Sequence, residues 1–250
     1  MFNWGNLNHL GIMRKTPSKS SLSYINEHRD WQTMFKNIDK KIYLLDSTII
    51  SLCLKIFDWA KYRRQKGAVK LHTMLDYDGL MPSYLFMTKA SQADVKHAHY
   101  MTMPPNSVIV ADRAYEDFKM LNSWDKDNID FVLRLKKSIN YVSVEELDLP
   151  EETEQNILID EVIELAEKET REIYPGRLRR IAVYDEEHNQ AIELITNNFS
   201  WTASTVSQLY KQRWRIEIFF KELKSHLKIK SFIGTNQNAM MIQIWTALIT

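Results

Sequence analysis

The chain has 250 residues, with 33 Lys/Arg against 32 Asp/Glu and a formal net charge of +1. That length suffices for one sound core with room for an insertion. A single cysteine, Cys53, excludes a disulfide framework and a cysteine-based zinc site and points to a reducing, intracellular setting. No basic segment followed by an apolar one opens the chain, and no apolar run reaches about 18 residues, so neither export nor membrane spanning is expected.

Residues 1–40 read as polar and helical, with Thr16-Pro17-Ser18-Lys19-Ser20-Ser21 suited to a turn and a helix start. Residues 41–47 read as a first strand, mostly apolar and closed by Asp46, and residues 48–60 as a short helical or looped excursion. Gly67 to Tyr77 and Leu80 to Thr88 alternate like two strands joined at Asp76-Tyr77-Asp78-Gly79, where Asp-Gly is a hairpin signal. A helix is expected around 92–101 and a buried, β-branched strand over 107–112. Another helix follows over 116–125, then an apolar strand over 130–136 that ends in basic residues. Between 139 and 198 alternation recurs at 157–162, 178–184 and 191–195, so this span reads as β-rich. Thr202 to Lys228 reads as one long helix, and the apolar stretch from Met240 to Thr250 stops in mid-pattern.

The long helix carries the chemistry. Tyr210, Arg213, Glu217 and Lys224 follow the pattern Y-x2-R-x3-E-x6-K. At about 100° per residue they sit at roughly 0°, −60°, −20° and −40°, one narrow stripe bearing a carboxylate, two cations and a phenol. Leu209, Ile216, Phe220, Leu223 and Leu227 occupy the neighbouring sector, as a core-facing stripe does. Such a helix reads as part of a metal-dependent site for a phosphodiester. Read alone, Glu217 and Lys221 also make an ordinary pair on a solvated helix face.

Two further carboxylates stand at strand ends: Asp46 after Tyr43-Leu44-Leu45, and Asp112 after Val108-Ile109-Val110-Ala111. Taken singly, Asp46 would serve as a helix cap and Asp112 as a partner of Arg113. Ionised acids gathered in one cleft repel and lose hydration, so they persist there only if something neutralises them. Carboxylate and water oxygens suit Mg²⁺ or Mn²⁺. Charge is also segregated along the chain. Residues 210–230 hold seven Lys/Arg against two acids, and residues 145–172 hold twelve acids against two basic residues. A basic face therefore coexists with near neutrality. His97 and His99, at i,i+2, face apart on a helix and make a poor metal pair. Trp201 and Trp214 read as packing residues, and Lys136 and Lys137 as candidates for a DNA-backbone contact.

Leu44-Leu45-Asp46-Ser47-Thr48, Val110-Ala111-Asp112-Arg113-Ala114-Tyr115 and the Tyr210/Arg213/Glu217/Lys224 array together resemble the DDE transposases of bacterial insertion sequences. The likeness is specifically to the family of the fourth insertion-sequence type, which the Tyr-Arg-Glu-Lys signature defines. It extends from about residue 16 onward. One departure is Ala114, where the family commonly has Gly.

The resemblance implies an α/β, RNase H-like mixed sheet flanked by helices, with a β-rich insertion before the last catalytic helix. It divides the chain into 1–40, the remnant of a helical DNA-binding region; 41–138, the first part of the catalytic core; 139–198, the insertion; and 199–250, the C-terminal helices, both ends reading as truncated. It implies Asp46, Asp112 and Glu217 as catalytic residues and as ligands of two Mg²⁺ or Mn²⁺ ions, and Tyr210, Arg213 and Lys224 as DNA-binding residues. Double-stranded DNA, as terminal inverted repeats and as target, would be the partner of a cytoplasmic, nucleoid-associated bacterial enzyme that forms a homodimer on DNA. Two alternatives are a truncated or inactive remnant that only binds DNA and an RNase H-like nuclease that cuts without inserting.

Overall fold

The computed structural model describes residues 35, 38–52, 61–63, 66–149, 156–186, 188–227 and 236–249. The helical expectation for residues 1–40 falls almost wholly outside them. The strands are β1 (Lys41–Leu52), β2 (Lys61–Arg63), β3 (Lys66–Asp76), β4 (Pro82–Lys89), β5 (Ser107–Ala111), β6 (Asp130–Arg134), β7 (Tyr141–Glu146), β8 (Ile157–Leu165), β9 (Leu178–Asp185) and β10 (Gln190–Thr196). Among the described residues the helices are α1 (Asp94–Ala98), α2 (Phe118–Lys126), α3 (Lys168–Ile173), α4 (Ala203–Gln212), α5 (Trp214–His226) and α6 (Gln237–Ile249), with a 3₁₀ turn at Arg113–Tyr115.

The strands form one ten-stranded mixed sheet in the order β2-β3-β1-β5-β6-β10-β9-β8-β7, with β4 paired to β3. Among the described strands, β1–β5 and β5–β6 are the parallel pairs. Parallel strands are covered on both faces, which is why Ser107–Ala111 is buried throughout. Alternation sends Val108 and Val110 to one face, where they join Leu44, Val206, Leu209, Ile216 and Phe220. It sends Ile109 and Ala111 to the other, with Leu45, Tyr115, Leu121 and Phe131. Helices α4 and α5 thus lie over the front of the central strands, and α2 with the 3₁₀ turn lies behind them.

Several expected boundaries move. β1 does not stop at residue 47 but continues to Leu52. Thr48 to Leu52 pair in register with Leu71 back to Gly67, and the β-branched Thr48, Ile49 and Ile50 suit a pleated surface. The helix expected over 92–101 shrinks to Asp94–Ala98. The single helix expected from Thr202 is interrupted at Arg213. There the amide of Arg213 bonds to the Tyr210 carbonyl and the amide of Ile216 to the Arg213 carbonyl, a tightening of one turn to i→i+3. Arg213 keeps right-handed helical angles (φ −52°, ψ −32°), so α5 carries on from α4. Thr202 caps α4 by accepting from the Thr205 amide at 3.1 Å.

The three strands expected between 139 and 198 are β8, β9 and β10, joined by β7 and the short α3. They extend the central sheet, since β10 pairs with β6 through Leu194↔Arg134, Ile195↔Leu133 and Thr196↔Val132. Part of the acidic run is internal. Asp160 is bonded twice by Arg179, at 2.7 and 2.5 Å, and Glu161 and Glu193 both accept from Arg180. Arg179 also donates to the carbonyl of Trp201. Buried charges persist when paired in this way.

Candidate active site

The last rung between the parallel strands β1 and β5 is Leu45↔Ala111. Asp46 and Asp112 are the residues immediately beyond it, on neighbouring strands about 4.8 Å apart. Both belong to the alternation that faces α4 and α5. Above them, Arg213 donates from Nη1 to Asp46 Oδ2 at 3.1 Å and from Nη2 to Glu217 Oε1 at 2.7 Å. Tyr210 donates its hydroxyl to Asp112 Oδ1 at 3.2 Å. The structure thus gathers Asp46, Asp112, Tyr210, Arg213 and Glu217 from β1, the end of β5 and the α4–α5 junction.

The readings of each acid as an isolated local feature give way here. Asp46 lies inside a strand and caps no helix, and Glu217 pairs with Arg213 one turn before it, not with Lys221. Asp112 takes its hydrogen bond from Tyr210. Lys224 sits two turns beyond Glu217 on α5, half-buried, with its pKa lowered by burial; no contact joins it to the acids. Ala114 lies in the 3₁₀ turn and is absent from the non-glycine residues with positive φ, so a methyl group there meets no backbone conflict.

Crowding has an electrostatic signature. Burial pushes the Asp46 carboxyl from 3.8 up to about 6; the Ser47 amide and Arg213 oppose this, while Glu217 and Asp112 add to it. Burial and then Asp112 push the Tyr210 phenol up to about 12, so it remains a hydrogen-bond donor. Burial works against the charge of Arg213, but Tyr210, Asp46 and Glu217 outweigh it and hold its pKa above the usual value.

Whether these groups suit a divalent cation can be judged from the donors. All three acids offer hard oxygens, and Thr73, the register partner of Asp46 on β3, has a buried Oγ1 without a hydrogen-bond partner. Cross-strand partners hold their Cβ atoms about 5 Å apart on one face, so this hydroxyl belongs to the surroundings of Asp46. Among the described residues, no three acids or histidines are close enough to hold one ion between them. Arg213 instead supplies the positive charge between Asp46 and Glu217. The donor set fits a hard cation in chemistry, with the guanidinium as its competitor.

Other expected residues fall elsewhere. His97 stays within hydrogen-bond distance of Gln92 at 2.5 Å, and His99 faces Asp117 at 3.5 Å. Lys136 donates to the Glu116 carbonyl, which leaves it a structural tie. Trp201 packs on the front core, whereas Trp214 is 53% exposed and does not pack as expected. Trp214 lines a cavity of about 600 Å³ beside the acids, together with Tyr210, Lys211, Arg213 and Arg134. Arg134 was not singled out by sequence. Its signal was period 2: it shares the face of Val132 and stands one rung beyond Ala111↔Leu133.

Residues 37–250 match the transposase DDE domain family, and the chain belongs to it. A Geobacillus stearothermophilus protein named as the transposase of insertion sequence element IS5377 is 27% identical over 210 residues, covering 84% of this chain and 55% of that one. The Sinorhizobium fredii protein y4zB, also named as a transposase, is 30% identical over 208 residues, covering 82% of this chain and 58% of the relative. A Synechocystis protein named for insertion sequence element IS4SA is 27% identical over 224 residues, covering 86% and 59%. The chain therefore spans little more than half the length of these relatives. Among solved structures, a piggyBac transposase in a synaptic complex with hairpin DNA aligns with 93% of this chain at 10% identity and a TM-score of 0.49. Among the described residues no helix is long and apolar enough to cross a membrane.

Proposed function

We propose that this chain is the catalytic part of an insertion-sequence transposase of the Tyr-Arg-Glu-Lys type, cutting and joining DNA at element ends. The observation that carries the proposal is that Arg213 joins Asp46 to Glu217 while Tyr210, one turn before it, holds Asp112, which brings residues spread over the chain to the front of a mixed sheet. In this reading the sheet and its helices form an RNase H-like core, with residues 139–198 as an insertion built onto the sheet edge, residues 1–40 as part of a DNA-binding region, and 199–250 as the closing helices.

Asp46, Asp112 and Glu217 would hold two Mg²⁺ or Mn²⁺ ions. When bound, such ions activate a water or 3′-hydroxyl nucleophile and stabilise the departing oxygen of an in-line displacement. The chain's own residues do the remaining work. Asp46, with its raised pKa, must give up its proton before it can act as a ligand. Arg213, drawn off Asp46 and Glu217, becomes free to grip a phosphate oxygen in a forked pair of bonds. Tyr210 keeps its proton and turns its hydroxyl toward the backbone phosphate, while Lys224 and Arg134 extend the positive track along the strand. Double-stranded DNA, as element end and as target in the bacterial nucleoid, is the substrate, and two copies would act together on paired ends.

The test is cleavage of DNA carrying the element's terminal repeats in the presence of Mg²⁺ or Mn²⁺. Replacing Glu217 by Gln keeps size and hydrogen bonding but removes the charge, and should lower cleavage by about a thousandfold or more. Undiminished cleavage by that variant would reject the role given to Glu217.

A further inference from the structure

Directly behind Asp46, on the reverse face of the sheet, lies a charged cluster that the roles above leave unused. Alternation turns Ser47 and its cross-strand partner His72 to that face, and Lys70 with them. There they meet Asp94, the first residue of α1. Asp94 Oδ1 accepts from Ser47 Oγ at 2.5 Å, lies 3.1 Å from Lys70 Nζ and stands 3.7 Å from His72 Nδ1. Lys70 also donates to the Gln92 carbonyl at 2.9 Å, and His72 Nε2 is 2.9 Å from Thr88 Oγ1. His72 is fully buried, and burial keeps it neutral. The Tyr115 hydroxyl, at the end of the turn that follows Asp112, is buried beside Ser47 and feels both Asp46 and Asp94.

The consequence runs through one backbone amide. Ser47 N–H donates to Asp46 Oδ1 at 2.7 Å. Beyond Leu45, β1 has lost its β5 neighbour, so at Ser47 the ladder with β3 holds the strand from one side only. We propose that Asp94 is a positioning residue for Asp46: it grips Ser47 from behind the sheet and thereby fixes the amide that orients the Asp46 carboxylate. A charged acceptor makes that grip short and stiff. Lys70 gives Asp94 its counter-charge, so that the carboxylate can sit partly buried under the strand. The inference rests on the catalytic role proposed for Asp46.

A cluster that merely neutralised Lys70 would leave the Ser47 amide indifferent to Asp94, and this separates the two cases. The Ser47 amide is followed by NMR in the cation-free chain. In the wild type it should be shifted downfield and protected from exchange. Asp94→Ala should move it upfield and cut its protection by about tenfold, and Asp94→Asn, which retains an acceptor, should do less. Asp94→Ala also strands Lys70; if that variant does not fold, Asp94→Asn decides. In the cleavage assay Ser47→Ala, which leaves the Lys70–Asp94 pair intact, should lower kcat about tenfold at unchanged KM for DNA. An unmoved Ser47 amide in the folded Asp94 variants, or a wild-type kcat for Ser47→Ala, would overturn the proposal. A wild-type chain that cleaves nothing would instead refute the proposed activity, and the amide measurement would still decide the role of Asp94.

Discussion

Arg213 bridges Asp46 and Glu217, and removing its charge should expose what it does. Arg213→Met keeps the aliphatic stem and deletes both charge-assisted bonds, the 3.1 Å bond to Asp46 and the 2.7 Å bond to Glu217. Breaking a fully buried ion pair costs about 3–5 kcal/mol. Here the side chains of Arg213, Asp46 and Glu217 are 16%, 19% and 33% exposed, so solvent screening reduces the expected loss to about 2 kcal/mol. For a chain of this size each kcal/mol moves Tm by about 2–4 °C, giving a drop of about 4–8 °C in cation-free buffer at pH 7.5. The same carboxylates, freed of their competitor, should then bind a divalent cation more tightly. Millimolar Mn²⁺ should therefore raise the Tm of the variant more than that of the wild type. Differential scanning fluorimetry with and without MnCl₂ reads both effects. If Arg213→Met melts with the wild type and gains no more from Mn²⁺, the guanidinium does not stand in for a cation and the site has been misread.

The other predictions concern pH and the internal ion pairs. The folded pKa of Asp46, about 6, lies above its unfolded value of 3.8. Its favourable contribution is thus complete below pH 4 and is lost as pH rises to 6; with about 1.4 kcal/mol per pKa unit, at most about 3 kcal/mol is at stake. Asp46→Asn should therefore gain stability relative to the wild type between pH 4 and pH 7 in cation-free urea titrations, and a flat difference would refute the shifted pKa. On β8, Asp160→Ala strands the buried Arg179 and should cost about 3–5 kcal/mol. Glu164→Ala, which removes the exposed pair with Arg177, should cost less than about 1 kcal/mol. Equal losses in denaturant unfolding would contradict the assigned difference in burial.

Much of the site was legible in the sequence because it depends on local periodicity. Leu209, Ile216, Phe220, Leu223 and Leu227 are all buried as the helical stripe requires, and the stripe beside them does carry Tyr210, Arg213 and Glu217 to the acids. The runs before Asp46 and Asp112 read as strands because each is apolar enough to be covered on both faces. What could not be read was pairing. Nothing local tells Glu217 to choose Arg213 over Lys221, since both choices are one turn away; Asp46, reached only through tertiary packing, decides it by sharing the guanidinium. The extension of β1 to Leu52 likewise depends on β3, whose Val69 and Leu71 supply the partners of Ile50 and Thr48. Asp94 carried no motif at all. Its importance follows from the pleat, which turns Ser47, His72 and Lys70 to a face that no helical or strand pattern in residues 92–98 identifies.

The most direct measurement is anomalous diffraction from crystals of the chain equilibrated with MnCl₂ above pH 7, where Asp46 is ionised. A manganese peak is expected about 2.0–2.4 Å from carboxylate oxygens of Asp46 and Asp112, with Arg213 withdrawn from Asp46 and the peak lost in Asp112→Asn. A saturated crystal with no peak at these acids, and with Arg213 still bridging Asp46 and Glu217, would contradict this expectation.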